Sequence, residues 1–165
     1  MDVKELTSGL VQLVGMNMAI RHMYLCNYLP IAYFLFCAVS MVHHFFRAFD
    51  KESIELLHLD MFMQYANCVI FVGLTTPLGI CFTVLAYIVL RLDLTSQHQR
   101  YIAYIINGTM IGISAYPHPA ILYTWIKVGI FFLIGVFYDN GLIGAVYHLI
   151  GHKAALEMWK ICQMT

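Results

Sequence analysis

Residues 61–90 of the sequence are MFMQYANCVIFVGLTTPLGICFTVLAYIVL, a run of 30 positions without Asp, Glu, Lys or Arg. About 20 apolar residues cross the hydrocarbon core of a bilayer, so this run is too long for one ordinary span. Residues 75–79 (TTPLG) lie near its middle, and Pro together with Gly interrupts a helix. The run therefore predicts two membrane-spanning helices joined by a tight turn.

The rest of the 165-residue chain has the same character. It is 61% hydrophobic and only 11% charged, whereas soluble domains contain about 25% charged residues. We expect an all-α fold, a polytopic membrane protein whose single domain, 1–165, is a compact bundle of about seven transmembrane helices. The predicted spans are 8–26, 29–47, 57–75, 77–92, 100–115, 119–138 and 140–162.

Charge and cysteine content exclude some classes of function. Nine basic residues balance nine acidic ones, which argues against a nucleic-acid partner. The residues 1–5 carry charges of both signs, which predicts no removable signal peptide. No CxxC spacing occurs, so the cysteines are expected to be buried packing thiols: Cys26, Cys37, Cys68, Cys81 and Cys162.

Lys and Arg in short loops set the orientation of a membrane protein. With seven spans, the N-terminus shares one face with the second, fourth and sixth loops. That face carries most of the basic residues: Lys4, Arg47, Lys51, Arg91 and Arg100. The opposite face has mainly Arg21 and Lys160. We therefore expect a multi-pass protein with its N-terminus on the cytoplasmic or equivalent side of a membrane that the sequence does not identify.

Several polar residues fall inside the predicted spans, where ionisable groups are costly and usually functional. Ser40 and His44 are four positions apart in the second span, on one helix face and about 6 Å apart along the axis. Asp60 lies near the start of the third span. His148 and His152 repeat the four-residue spacing in the last span, and such a pair can chelate a metal ion.

The order of the spans brings these residues toward one side of the bundle. The second span ends on the face where the third begins, and seven spans make the last one begin there too. His44, Asp60 and His148 are then within about two turns of that face. His152 is expected about 18 Å deep.

Three imidazoles with an open position are typical of catalytic zinc, whose bound water has a pKa of about 7. Asp60 has the chemistry to accept a proton from that water and pass it to a leaving group. Ser40 is placed to orient the water or to donate to an oxyanion. The alternative is that these polar side chains only form hydrogen bonds between helices.

The pattern of Ser-x3-His, Asp and His-x3-His resembles the CREST superfamily of seven-helix membrane hydrolases, which includes alkaline ceramidases, adiponectin and progestin receptors and myomaker. The resemblance implies Zn²⁺ held by His44, His148 and His152, with Asp60 and Ser40 beside the metal-bound water and a membrane lipid as substrate. The His-x-Asp of residues 58–60 and Asp139, nine residues before His148, are most similar to the myomaker-like branch. Gly151 departs from the pattern, since relatives usually have an aromatic residue before the last histidine.

Two other residues, His43 and Lys127, each have more than one possible role. His43 is expected to be a packing or interfacial histidine, with a fourth ligand as the alternative. Lys127, near the middle of the sixth span, would pair with Glu157 or a carbonyl, mark a substrate headgroup site, or extend along the helix toward the membrane surface.

The leading hypothesis is a zinc-dependent intramembrane hydrolase acting on an amide or ester bond of a lipid, in the manner of a ceramidase. The second is a non-catalytic protein of the same fold, either a structural subunit among partner subunits of a larger membrane complex, or a receptor or fusion factor. The third is a haem-binding electron carrier that uses paired histidines, for which Ser40 and Asp60 would have no role.

Overall fold

A computed structural model describes residues 1–24, 28–73, 75–137 and 141–162. These residues form seven α-helices and no β-strand, which confirms the all-helical prediction. The helices are α1 (Val3–His22), α2 (Leu29–Ala48), α3 (Ile54–Val72), α4 (Pro77–Leu90), α5 (Gln97–Ala115), α6 (Pro119–Phe137) and α7 (Gly141–Cys162).

The first turns of α1 and α3 lie ahead of the predicted spans because they are polar and were not part of the apolar pattern. The Asp2 carboxylate caps α1 by accepting from the backbone N–H of Lys4 at 2.8 Å, and Ser53 caps α3 by accepting from Leu56 at 3.2 Å. Side-chain acceptors at these positions satisfy N–H groups that have no partner inside the helix. The predicted boundaries at 26, 138 and 140, together with Cys26 and Asp139, fall outside the described residues.

The break predicted within residues 61–90 is confirmed. Gly73 ends α3 with a positive φ of 89°, a conformation that glycine adopts without a steric penalty. Thr76 caps α4 by accepting from the Gly79 N–H at 3.0 Å. A Cβ at Gly79 would lie 2.0 Å from the Gly73 carbonyl oxygen, so the turn closes tightly only with glycine there.

Six of the helices form a ring in which α1, α2, α3, α5, α6 and α7 pack in that order and α7 returns to α1. Helix α4 lies outside the ring against α3 and α5. Tyr65, Phe82 and Met110 belong to a buried cluster of α3, α4 and α5. Tyr33 and Trp159 belong to a second one, built by α1, α2 and α7. The two clusters hold the ring together on opposite sides of a central cavity.

The helices differ in how well they suit a bilayer. By length and composition, α2 is the one described helix that is long and apolar enough to cross a membrane, and Pro77–Leu90 and Pro119–Ile134 are apolar but shorter. Of the cysteines, Cys37 and Cys68 are buried as expected, whereas Cys81 is exposed. Its position on the outer face of α4, which has only α3 and α5 as neighbours, explains that difference.

Candidate functional site

A cavity of about 630 Å³ lies inside the ring of helices. Residues along α2, α3 and α7 face it, together with residues of α1, α5 and α6. Each residue that the sequence singled out for chemistry lies on its wall: Ser40, His44, Asp60, His148 and His152. The convergence expected from the order of the spans is therefore present.

His44 and His148 form the closest pair in the cavity. Their ring centroids are 5.1 Å apart and the rings meet edge to face at 84°. Two imidazoles on one tetrahedral zinc, with bonds of about 2.0–2.1 Å, would have centroids about 5 Å apart. The Nε2 atom of His148 is buried and has no hydrogen-bond partner. The pair thus fits a shared ion in spacing, and His148 has a nitrogen available for one.

Glu5, on the first turns of α1, fixes the orientation of His44. The Nδ1 atom of His44 donates to the Glu5 carboxylate at 2.6 Å, and Arg47 lies 3.0 Å from the other carboxylate oxygen. Glu5 is only 6% exposed. With Nδ1 bonded to a carboxylate, Nε2 is the nitrogen that remains for a metal, an arrangement common behind metal-binding histidines.

Gln12, also on α1, holds His148 in a similar way. Its side chain is fully buried, with the amide nitrogen 3.0 Å from Nδ1 of His148 and the amide oxygen without a partner. A half-turn of the amide exchanges the two atoms and lets Nδ1–H donate to the oxygen. That exchange satisfies the oxygen and leaves Nε2 of His148 unprotonated.

His152 is turned away from the other two histidines. Its Nδ1 is 2.7 Å from the Tyr33 hydroxyl, and its Nε2 donates to the Val11 carbonyl at 3.2 Å. The ring packs so closely on Gly15 that a Cβ there would lie 2.5 Å from it. Consistent with this, no three His, Cys, Asp or Glu side chains are arranged to hold a metal ion in the described part of the chain. Of the three predicted ligands, His44 and His148 lie next to each other, and His152 lies one helical turn deeper.

Only one of the two carboxylate oxygens of Asp60 has a hydrogen-bond partner. Oδ2 accepts from Gln64 at 3.2 Å, and Gln64 in turn accepts from Asn107 of α5. Oδ1 is buried without a hydrogen bond. The chain of amides fixes the carboxylate against α3, while Ser40, 1% exposed, lies on the same cavity wall.

His43 also belongs to the cavity wall. It is 2% exposed, its Nδ1 has no partner, and its ring centroid lies 5.6 Å from that of His44. It is thus buried in the bundle, as a packing histidine would be.

Glycines widen the part of the cavity between α5, α6 and α7. A Cβ on any of four of them would meet open space: Gly108, Gly112, Gly129 and Gly151. The lining of α7 extends from residue 144 to residue 159, about 22 Å along the helix. A long, broad and mostly apolar space therefore adjoins the polar residues Ser40, His44, Asp60 and His148.

Helices α5 and α6 border an exposed part of the cavity. Gly108 of α5 and Ile126 and Gly129 of α6 line the cavity and are also exposed. Since residues of both helices line the cavity and are exposed, and a Cβ on Gly108 or Gly129 would meet open space, we infer that the cavity opens between α5 and α6.

Two residues of the site, Glu5 and Gln12, were not identified from the sequence. Glu5 lies ahead of the predicted first span, and a glutamine in an apolar span does not by itself indicate a metal site. The signal that was present is the helical spacing of Glu5, Ser8 and Gln12, which puts three polar groups on one face of α1. All three are buried against the cavity side of the bundle.

The chain matches no protein-family model, no curated protein and no solved structure. The resemblance to the CREST superfamily therefore remains a prediction.

Proposed function

We propose that the chain is a multi-pass membrane hydrolase of the CREST type, which uses zinc to cleave an amide or ester bond of a membrane lipid. The observation that supports this most is the convergence of Ser40, His44, Asp60 and His148 on one buried cavity. Unpartnered Nε2 and Oδ1 atoms in such a place are unusual, because buried polar atoms are normally hydrogen-bonded.

The outer surface of the bundle supports a bilayer as its environment. Large apolar side chains cover the outward faces of α4 and α6, among them Ile80, Val84, Ile130 and Leu133. Contiguous apolar surface of this kind on a soluble monomer is rare and marks interaction with a membrane or a partner. We assign it to lipid contact, with all seven helices crossing the membrane.

In this proposal His44, His148 and His152 hold the zinc ion. To serve as a ligand, His152 would have to give up the hydrogen bond from its Nε2 to the Val11 carbonyl, and its Nδ1 would keep the Tyr33 hydroxyl as its partner. When bound, zinc supplies the Lewis acidity that makes water a nucleophile near neutral pH.

Hydrolysis joins the oxygen of water to the acyl carbon and breaks the bond from that carbon to the leaving nitrogen or oxygen. Asp60 takes one proton from the water through its unpartnered Oδ1 and delivers it to the leaving group. Ser40 donates a hydrogen bond to the oxygen that gains negative charge. The acyl chain occupies the glycine-lined part of the cavity.

The test is a turnover assay of purified protein reconstituted in vesicles. The vesicles contain either an N-acyl sphingoid base or a glycerol ester with the same fluorescent acyl chain. We expect release of free fatty acid from at least one of them, loss of that release with a zinc chelator, and recovery when zinc is returned. Zinc-loaded protein that releases fatty acid from neither lipid contradicts the hydrolase assignment.

The hydrogen bonds of His152 favour a second candidate, a non-catalytic protein of the same fold. With both ring nitrogens bonded to protein groups, the histidine serves packing, and Gly151 leaves the adjacent space unfilled. Such a protein would act as a structural subunit, receptor or fusion factor and show no turnover. A haem between paired histidines is disfavoured, since the edge contact of His44 and His148 leaves no room for a macrocycle.

Replacement of Glu5 tests whether it positions His44. We expect Glu5→Ala to weaken zinc binding by about 10- to 100-fold, the usual effect of losing the partner of a metal-binding histidine. Glu5→Gln keeps an acceptor for Nδ1–H and should recover most of the affinity. The measurement is a competitive zinc titration of purified protein.

Glu52 provides the matched control, because it pairs with Arg100 at 2.7 Å and does not line the cavity. Glu52→Ala removes an ion pair but should leave the zinc affinity unchanged. Equal losses in the Glu5 and Glu52 variants, or no recovery in Glu5→Gln, would mean that Glu5 acts only on stability.

A further inference from the structure

Lys127 is an exposed charge on an apolar helix face. It is the ninth residue of the 19-residue helix α6, and its exposed neighbours on that face are Tyr123, Ile126 and Ile130. The candidate partner from the sequence, Glu157, instead accepts from the Thr124 hydroxyl at 3.0 Å. Among the described residues, Lys127 forms no ion pair.

The side chain of Lys127 is directed along the helix. Its ammonium lies over the ring of Tyr123, 4.2 Å from the centroid, one turn closer to the start of α6. By the helical rise, the Cα of Lys127 is about 12 Å from that start and the Cα of Tyr123 about 6 Å, so the ammonium is drawn toward the start of the helix. Lysines inside a membrane extend in this way to bring their charge to the headgroup layer.

Lys127 also lies beside the lateral opening of the cavity. Ile126 precedes it and Gly129 follows two positions later, and both line the cavity and are exposed. Helices α5 and α6 contain no Asp or Glu, so no carboxylate on either rim of the opening competes for the ammonium or repels an anion. The charge at this rim is therefore positive.

We propose that Lys127, together with Tyr123, binds the phosphate of an anionic phospholipid whose acyl chains lie at the opening between α5 and α6. The ammonium provides the countercharge for the phosphate. It is directed toward the headgroup layer, where a lipid phosphate lies, whereas the acidic residue of a partner helix would have to meet it near the middle of the bilayer. The inference rests on the membrane placement of the proposed function. It does not depend on zinc or on hydrolysis.

The experiment counts lipids that stay bound to the purified full-length chain. Protein from vesicles with equal phosphatidylglycerol and phosphatidylcholine is delipidated in steps and examined by native mass spectrometry. We expect the wild type to retain phosphatidylglycerol about five-fold over phosphatidylcholine, the preference that one lysine near a membrane surface provides. Lys127→Gln should lose the preference, and Lys127→Arg should keep it.

Lys160→Gln is the control, because Lys160 is exposed in the last turn of α7, level with the start of the antiparallel α6. It should retain the wild-type preference. Equal retention by Lys127→Gln, or equal loss by Lys160→Gln, overturns the proposal. A second result would also overturn the proposal. In it, the wild type shows no lipid preference but binds a Leu-rich transmembrane peptide that has a central Glu, and does not bind the same peptide with Gln in its place.

The result is separable from the hydrolase assignment. His148→Ala, which removes a ligand of the proposed zinc site, should keep the preference for phosphatidylglycerol. Loss of turnover with the preference intact counts against neither the lipid site nor the membrane placement.

Discussion

Asp60→Asn is expected to lower lipid turnover by about 10²- to 10⁴-fold while the protein keeps its zinc, the usual contribution of a positioned proton-transfer group. Asparagine has the shape of aspartate and still accepts from Gln64, so the chain of amides from α3 to α5 survives. What it lacks is an oxygen able to take a proton. The loss should therefore appear in kcat with the fold intact.

The measurement combines a turnover assay in vesicles with metal analysis of the same sample. Asp93→Asn is the control, since Asp93 is an exposed loop carboxylate that accepts from Thr95 and does not line the cavity. Full activity in Asp60→Asn would exclude Asp60 as the proton carrier. Loss of zinc together with activity would assign Asp60 to metal binding.

His148→Ala is expected to weaken zinc binding by more than about 100-fold, beyond what loss of a second-layer partner causes. The substitution removes the nitrogen that is buried without a partner, and it leaves Gln12 without its hydrogen bond. Turnover should fall with the zinc content and should not recover at moderate zinc concentrations.

The measurement is a zinc titration with circular dichroism on the same preparations, so that loss of metal is separated from loss of helix. His98→Ala serves as the control, because His98 is exposed at the start of α5. Unchanged zinc affinity in folded His148→Ala protein would remove this histidine from the metal site.

Much of the fold was predictable because its signals are local. An uncharged run of 30 residues interrupted by TTPLG can only form two helices, and Gly73 and Thr76 provide the turn that the run requires. The meeting of His44, Asp60 and His148 was predictable as well. It follows from helix order, since neighbouring antiparallel helices alternate in direction whatever their side chains are.

The position of α1 was less predictable. Its beginning is polar, so a pattern based on apolar residues placed the first span too late and left Glu5 outside it. The helix starts at Val3 because Asp2 caps it, and its polar face of Glu5, Ser8 and Gln12 packs inward. That face carries the partners of His44 and His148, which no spacing within α2 or α7 could indicate.

The hydrogen bonds of His152 were not predictable from the sequence. The four-residue spacing puts His152 on the same face of α7 as His148, but the direction of its ring depends on neighbours far away in the chain. Tyr33 and the Val11 carbonyl compete for its nitrogens, and Gly15 lets α1 approach the ring. Side-chain competition of this kind is a property of the packed bundle.

The central claim is that His44, His148 and His152 form one zinc site, and the most direct test is the metal content of the purified full-length protein. Inductively coupled plasma mass spectrometry on protein prepared without added metal should give about one zinc per chain, and X-ray absorption should show three nitrogen ligands at about 2.0–2.1 Å. Folded protein that contains no zinc, and takes up none when zinc is supplied, would contradict the claim.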